Sequence, residues 1–80
     1  TLLRAFLEAA DAGSLSRAAR ALGITQPSLT LQIQKLERQL GATLFRRHGR
    51  GVALTAAGEA LRPRARRIVD ARRAAEEALR

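Results

Sequence analysis

The chain has 80 residues, no cysteine and a formal net charge of +8, from fifteen Lys and Arg against seven Asp and Glu. A single small domain of this length buries only about 60–65% of the surface its unfolded chain exposes, and neither a disulfide framework nor a thiolate metal site can be built. No apolar run approaches transmembrane length and no signal-peptide pattern is visible.

The lack of cysteine fits a reducing cytosol. The start at Thr1 without methionine and the stop at Arg80 inside a helical pattern read as a piece cut from a longer protein. All but one of the fifteen cations are Arg, whose planar fork of donors suits phosphates and guanine edges. Such a balance favours a polyanionic partner, nucleic acid first and an anionic membrane surface second. Solubility alone, or a GC-rich coding composition, is the plainer account of the charge, so charge by itself moves the odds only modestly.

Residues 1–12 read as a helix with Leu2, Leu3, Phe6, Leu7 and Ala10 on its apolar face, closed by Gly13 in a left-handed conformation. Ser14 or Ser16 caps a second, short helix through Leu22. Its apolar positions are Leu15, Ala18, Ala19 and Leu22, and the paired alanines let another helix approach closely. Gly23 ends it and Ile24 dips into the core. Thr25 then caps a third helix, with Pro27 in the first turn, where a missing N–H costs nothing. This helix runs to about Leu40 and Gly41 closes it. Helix, tight glycine-containing turn and longer helix make a helix-turn-helix, an arrangement whose second helix enters a major groove.

Within the third helix Leu29, Ile33, Leu36 and Leu40 keep helical time and form a core-facing stripe. Leu31 lies about 200° around from Leu29, at ~100° per residue. It shares that outer face with Thr30, Gln34, Lys35 and Arg38. In the next stretch Leu44 and Phe45 precede the charged run RRHGRG, and Val52 and Leu54 alternate after it. Glycines at 49 and 51 suit a tight turn. The expectation is a small β-hairpin carrying Arg46, Arg47 and Arg50 at or near its tip, with an unpaired ordered loop as the alternative. Thr55 caps a fourth helix to the chain end, and Glu59 favours its positive start. Leu61, Ala65, Ile68, Ala75 and Leu79 recur at roughly heptad spacing, interrupted by Arg72. Pro63 is expected to kink this helix or split it near 59–63.

The segment FLEAADAGSLSRAARALGITQPSLTLQIQKLERQLGATLFRR, followed by LTAAGEAL, resembles the N-terminal DNA-binding domain of bacterial LysR-type transcriptional regulators. The resemblance covers nearly the whole chain. It rests on Ser14, Ala18-Ala19, Gln26-Pro27, Leu36-Glu37, Gly41, Leu44-Phe45, Arg47, Thr55 and Gly58 in combination. It implies a mainly α fold: a winged helix-turn-helix of three core helices and a short β-hairpin wing over 1–55, then a long linker helix over 56–80 that makes a homodimer. A small-molecule effector would bind a separate C-terminal domain, and no cofactor is expected in these 80 residues. Where family members commonly carry Ser then Arg, this chain has Thr30 and Leu31.

On this reading the outer face of the third helix meets a duplex. Its first turn, Thr25, Gln26, Pro27 and Ser28, suits a phosphate through the unbonded N–H groups there, Pro27 contributing none. Gln26, Thr30 and Gln34 suit base edges, and Leu31 a thymine methyl. Lys35, Arg38, Arg46, Arg47 and Arg50 suit backbone phosphates, which position without reading sequence. An interrupted inverted repeat in DNA is the expected partner. The dimer contact is expected from Leu61, Ala65, Ile68, Arg72, Ala75 and Leu79.

Each residue has a plainer reading too. Thr25 is first a helix cap. Leu31 taken alone is a stray exposed leucine, which surfaces tolerate. Lys35 and Arg38 suit a solvated face, and His48 a turn. A basic RNA-binding module or a protein-interaction helical module is the alternative function. Single-stranded RNA readers stack bases on exposed aromatics, and the only aromatics here, Phe6 and Phe45, sit at core-like positions. With no Cys or Tyr, one His and no convergent carboxylate pair, an enzyme is not expected. The alanine-rich stripe from 61 to 80, without Trp, suits helix packing better than a membrane surface.

Overall fold

The computed structural model describes residues 1–80. Each helix begins where a hydroxyl can accept the first free N–H groups. Thr1 accepts from the Arg4 amide ahead of α1 (Leu2–Ala12), Ser14 from Arg17 ahead of α2 (Leu15–Leu22), and Thr25 from Ser28 ahead of α3 (Gln26–Leu40). Gly13, Gly23 and Gly41 close these three helices with φ of 64°, 70° and 65°. An antiparallel hairpin follows: β1 (Phe45–His48) pairs with β2 (Gly51–Leu54), Phe45 opposite Leu54 and His48 opposite Gly51. Thr55 then caps α4 (Ala56–Ala78), its hydroxyl accepting from the Gly58 amide at 3.1 Å and donating to the Thr43 carbonyl.

Two apolar clusters hold these elements together, and α1 contributes to both. The first joins Ala5 and Ala9 of α1, Leu15, Ala18 and Ala19 of α2, Leu29 and Ile33 of α3, and Val52 of β2. The second joins Phe6 and Leu7 to Leu36, Leu44 and Ala65 of α4. This corrects the expected face of α1. Ala5 and Ala9 are buried, whereas Leu2, Leu3 and Ala10 are only half-buried. A helix covered on two sides buries a wider arc than one stripe, and its small residues face the closest neighbour. The Phe6 and Phe45 rings meet at 5.4 Å between centroids and 50° between planes, in the range of tilted aromatic pairs.

The hairpin is fastened at both ends. The Val52 N–H donates to the Gly13 carbonyl at 3.1 Å, and the Thr55 N–H to the Leu44 carbonyl at 3.0 Å. Gly51 therefore serves something other than the expected turn, which consists of Gly49 and Arg50. Its φ is 147°, and a Cβ there would collide with the Gly13 carbonyl oxygen. Gly58 plays the matching part for α4, where a Cβ would collide with the Leu44 carbonyl oxygen. Glu37 turns back from α3 to accept the Leu44 N–H at 2.7 Å, fixing the entry into β1.

Two further expectations are corrected, the second in part. Leu40 continues the apolar stripe of α3 but is 51% exposed, because the core beneath that helix ends at Leu36. Pro63 does not split α4, which is continuous from Ala56 to Ala78. Pro63 and Glu59 are both exposed, a position where the carbonyl left without a proline N–H is open to solvation instead of being sealed in the core. Arg64 also reaches back to the Ala60 carbonyl at 2.7 Å.

Candidate nucleic-acid interface

The buried stripe Leu29–Ile33–Leu36 sets the rotation of α3, and the opposite face is left to solvent. Gln26, Pro27, Leu31, Gln34, Lys35 and Arg38 are exposed there, with Leu31 64% exposed. Ser28 and Thr30 are half-buried at its edges. Thr30 thus points less outward than its place in the helical pattern suggests, because the hairpin lies beside it. The Thr25 hydroxyl is engaged with the Ser28 amide at 3.2 Å, which is the structural cap foreseen for it.

Strand alternation sorts the hairpin arginines. Arg47 lies opposite Val52 and Arg46 opposite Ala53, so Arg47 shares a face with Phe45, Val52 and Leu54 while Arg46 takes the other. Arg47 and Val52 line a groove of about 110 Å³ between the hairpin and α3, together with Thr30, Ile33, Gln34 and Glu37. The fold thus gathers Thr30, Gln34 and Arg47 in one groove, places Arg50 at the tip of the turn, and directs Arg46 to the opposite face. At that tip His48 Nδ1 accepts the Arg50 N–H at 3.1 Å, a turn contact. No group of residues could hold a metal ion.

Charge is unevenly spent. No Asp or Glu occurs between Asp11 and Glu37, and no ion pair forms on Lys35, Arg38, Arg46, Arg47 or Arg50. Arg17 and Arg20 of α2 are likewise exposed and unpaired. They were not singled out in the sequence, although the acid-free run around them is a readable signal. The ion pairs lie elsewhere. Asp11 receives Arg62 at 2.7 Å and Arg66 at 2.8 Å, and Arg72 meets Glu76 at 3.6 Å. The hydrogen bond from Arg66 holds the Asp11 carboxyl below its ordinary value, with Arg62 adding to it and partial desolvation opposing. The same bond raises Arg66.

The stripe on α4 divides in two. Ala65 is fully buried within the protomer and Leu61 packs beside it, so Ala65 is not available to a partner as expected. The reason is that α4 lies on α1 for its first half. Ile68, Arg72, Ala75 and Leu79 remain exposed, Leu79 at 89%. No helix is long and apolar enough to cross a membrane.

Residues 1–59 match the model of the bacterial regulatory helix-turn-helix proteins of the lysR family. The HTH-type transcriptional regulator AbaB of Streptomyces antibioticus is 51% identical over 70 residues, covering 88% of this chain and 23% of AbaB. The chain therefore spans about a quarter of the length of the curated relatives it matches. Among solved structures, a CbnR DBD–DNA complex superposes with a TM-score of 0.87 at 42% identity, covering 96% of this chain and 90% of that one. DarR of Vibrio fischeri in complex with DNA superposes at 0.91 and 32% identity, over 98% of this chain and 27% of that one. The three-helix arrangement, the hairpin and the long α4 are thus shared with solved relatives, and the chain belongs to the LysR family of bacterial regulatory helix-turn-helix proteins.

Proposed function

We propose that the chain is the sequence-specific, double-stranded-DNA-binding part of a LysR-type transcriptional regulator. α3 enters the major groove and the hairpin lies on the adjoining backbone or minor groove. The observation that carries this is the outer face of α3, which offers free amides and unpaired cations with no acid among them. Gln26 and Gln34 are the base readers, since an amide pairs with adenine N6 and N7. Lys35, Arg38, Arg47 and Arg50 grip phosphate. Structures of CbnR and DarR with DNA, at 42% and 32% identity, support the reading. Buried Phe6 and half-buried Phe45 leave no stacking platform for single-stranded RNA.

Residues 1–55 form the reading unit in this proposal and 56–80 the dimerisation helix, using the exposed Ile68, Ala75 and Leu79. Two copies then place their α3 helices on an inverted repeat about one helical turn apart. Catalysis and cofactors have no part in it. An effector, where the regulator has one, binds a domain other than these 80 residues, and the cytoplasm is where the DNA lies. The test is selection of duplexes from a randomised pool, followed by titration of the chosen site. Gln34→Ala is expected to relax preference at particular base pairs at a cost of ~1–3 kcal/mol there. An equal loss on all sequences would move Gln34 from base to backbone, and no selected sequence would remove the function.

A further inference from the structure

We propose that the open notch on α3 formed by Gln26, Pro27, Thr30 and Leu31 reads the C5-methyl group of a pyrimidine in the major groove, in thymine and also in 5-methylcytosine. This rests on the DNA-binding reading above and deepens it. Leu31 is 64% exposed, and the other large exposed apolar residues, Leu40, Ile68 and Leu79, lie at the far end of α3 or on α4. Pro27 stands four residues before Leu31, so the two lie one above the other on the same helix face. Neither side chain carries a hydrogen-bonding atom. Gln34 and Lys35 follow at three and four residues, so the apolar island sits inside a polar, cationic surface.

A surface of that kind faces a polyanion, and an apolar island on it has to meet whatever apolar group the polyanion displays. On base edges in the major groove that group is the methyl at pyrimidine C5; the guanine, cytosine and adenine edges present polar atoms. A protein or lipid partner would call for a contiguous apolar patch of a few hundred Å², and one leucine beside one proline does not make it. Gln26 lines the notch and Gln34 lies about one turn beyond Leu31, both with amides suited to adenine, so a thymine·adenine pair satisfies both kinds of contact. 5-Methylcytosine supplies the same methyl without the adenine and gains the apolar contact alone.

The experiment uses the 80-residue chain and its selected duplex, with each thymine replaced singly by deoxyuridine and, in a second series, each cytosine by 5-methylcytosine. One thymine position per half-site is expected to lose about fourfold in affinity on becoming uracil, the weight of one methyl group leaving water. Cytosine placed at that position is expected to regain a similar factor on methylation. Leu31→Ala should bind the thymine duplex as weakly as the native chain binds the uracil duplex, with no discrimination left between the two. Leu31→Gln should behave likewise, and melting followed by circular dichroism should be unchanged for both. Uracil tolerated at every position while binding stays saturable and salt-dependent overturns the methyl reading alone. Discrimination that persists undiminished in Leu31→Ala also overturns it, since the methyl would then be read elsewhere. No binding to any duplex overturns the DNA reading with it.

Discussion

Between Ser14 and Leu54 the chain carries seven Lys or Arg and one Asp or Glu; between Thr55 and Arg80 it carries seven and four. In the first region no cation is paired, and the single acid, Glu37, is turned inward onto the Leu44 amide. In the second, Arg62 and Arg66 share Asp11, and Arg72 meets Glu76. The same residue type thus does two things. Cations kept apart from acids hold a field toward an outside anion, whereas Arg62 and Arg66 beside Asp11 fasten α4 to α1 and Arg72 beside Glu76 braces α4 along its own length. Net charge alone does not distinguish the two, but the placement of a few acids does.

The sharpest way to break this division is at its joint. Gly58→Ala pushes a methyl into the Leu44 carbonyl and forces α4 off the hairpin. A loss of ~1–3 kcal/mol is expected from such overpacking, or a fall in Tm of roughly 5–20 °C for a domain of this size. Thermal melts check it, and an unchanged Tm would mean that the joint is slack.

Next in size is the contrast between a free and an occupied arginine. Arg50→Ala should lower the magnitude of the salt slope of duplex binding by about one unit, the release of one phosphate contact. Arg66→Ala should leave that slope unchanged and lower stability instead. Equal slopes for the two variants would erase the comparison.

The smallest effect is that of pH on Asp11. Its folded pKa is lowered, so its contribution is present above the unfolded value of 3.8 and is lost as pH falls through the lower, folded value. With the carboxylate 42% exposed, screening keeps the contribution within ~1 kcal/mol. Native and Asp11→Asn chains should differ in Tm at pH 6 and converge toward pH 2. A difference that persists at pH 2 would assign Asp11 a role other than its charge.

Local chemistry made much of this structure legible. Hydroxyl caps, glycine stops and the 29–33–36 stripe placed the helices and left Leu31 outside. The exposure of Gln34 followed from the same phase, and the hairpin arginines from the glycine-containing run between two alternating apolar stretches. What escaped is tertiary. Gly51 reads as a turn glycine because its partner, the Gly13 carbonyl, is far away in sequence. Ala65 reads as a partner-facing position because heptad spacing does not say which helix covers it. Leu40 keeps the period of the core but lies where the core has ended. Pro63 reads as a helix breaker by rule, yet α4 runs through it at an exposed position.

Ala65 rests on the aromatic and aliphatic floor of Phe6 and Leu7, and Val69 is the last residue of α4 packed against that apolar cluster. From Ala65 to Leu79 is roughly 21 Å of helix at 1.5 Å per residue. That length is a lever whose fulcrum is a methyl group. A tilt of about 10° at the fulcrum carries the Leu79 end through roughly 4 Å, on the same helical rise. A slight rocking of the first three helices on α4 therefore becomes a displacement of a whole side-chain width at Leu79, so in the proposed dimer the pairing of two such ends would be sensitive to small changes at Ala65.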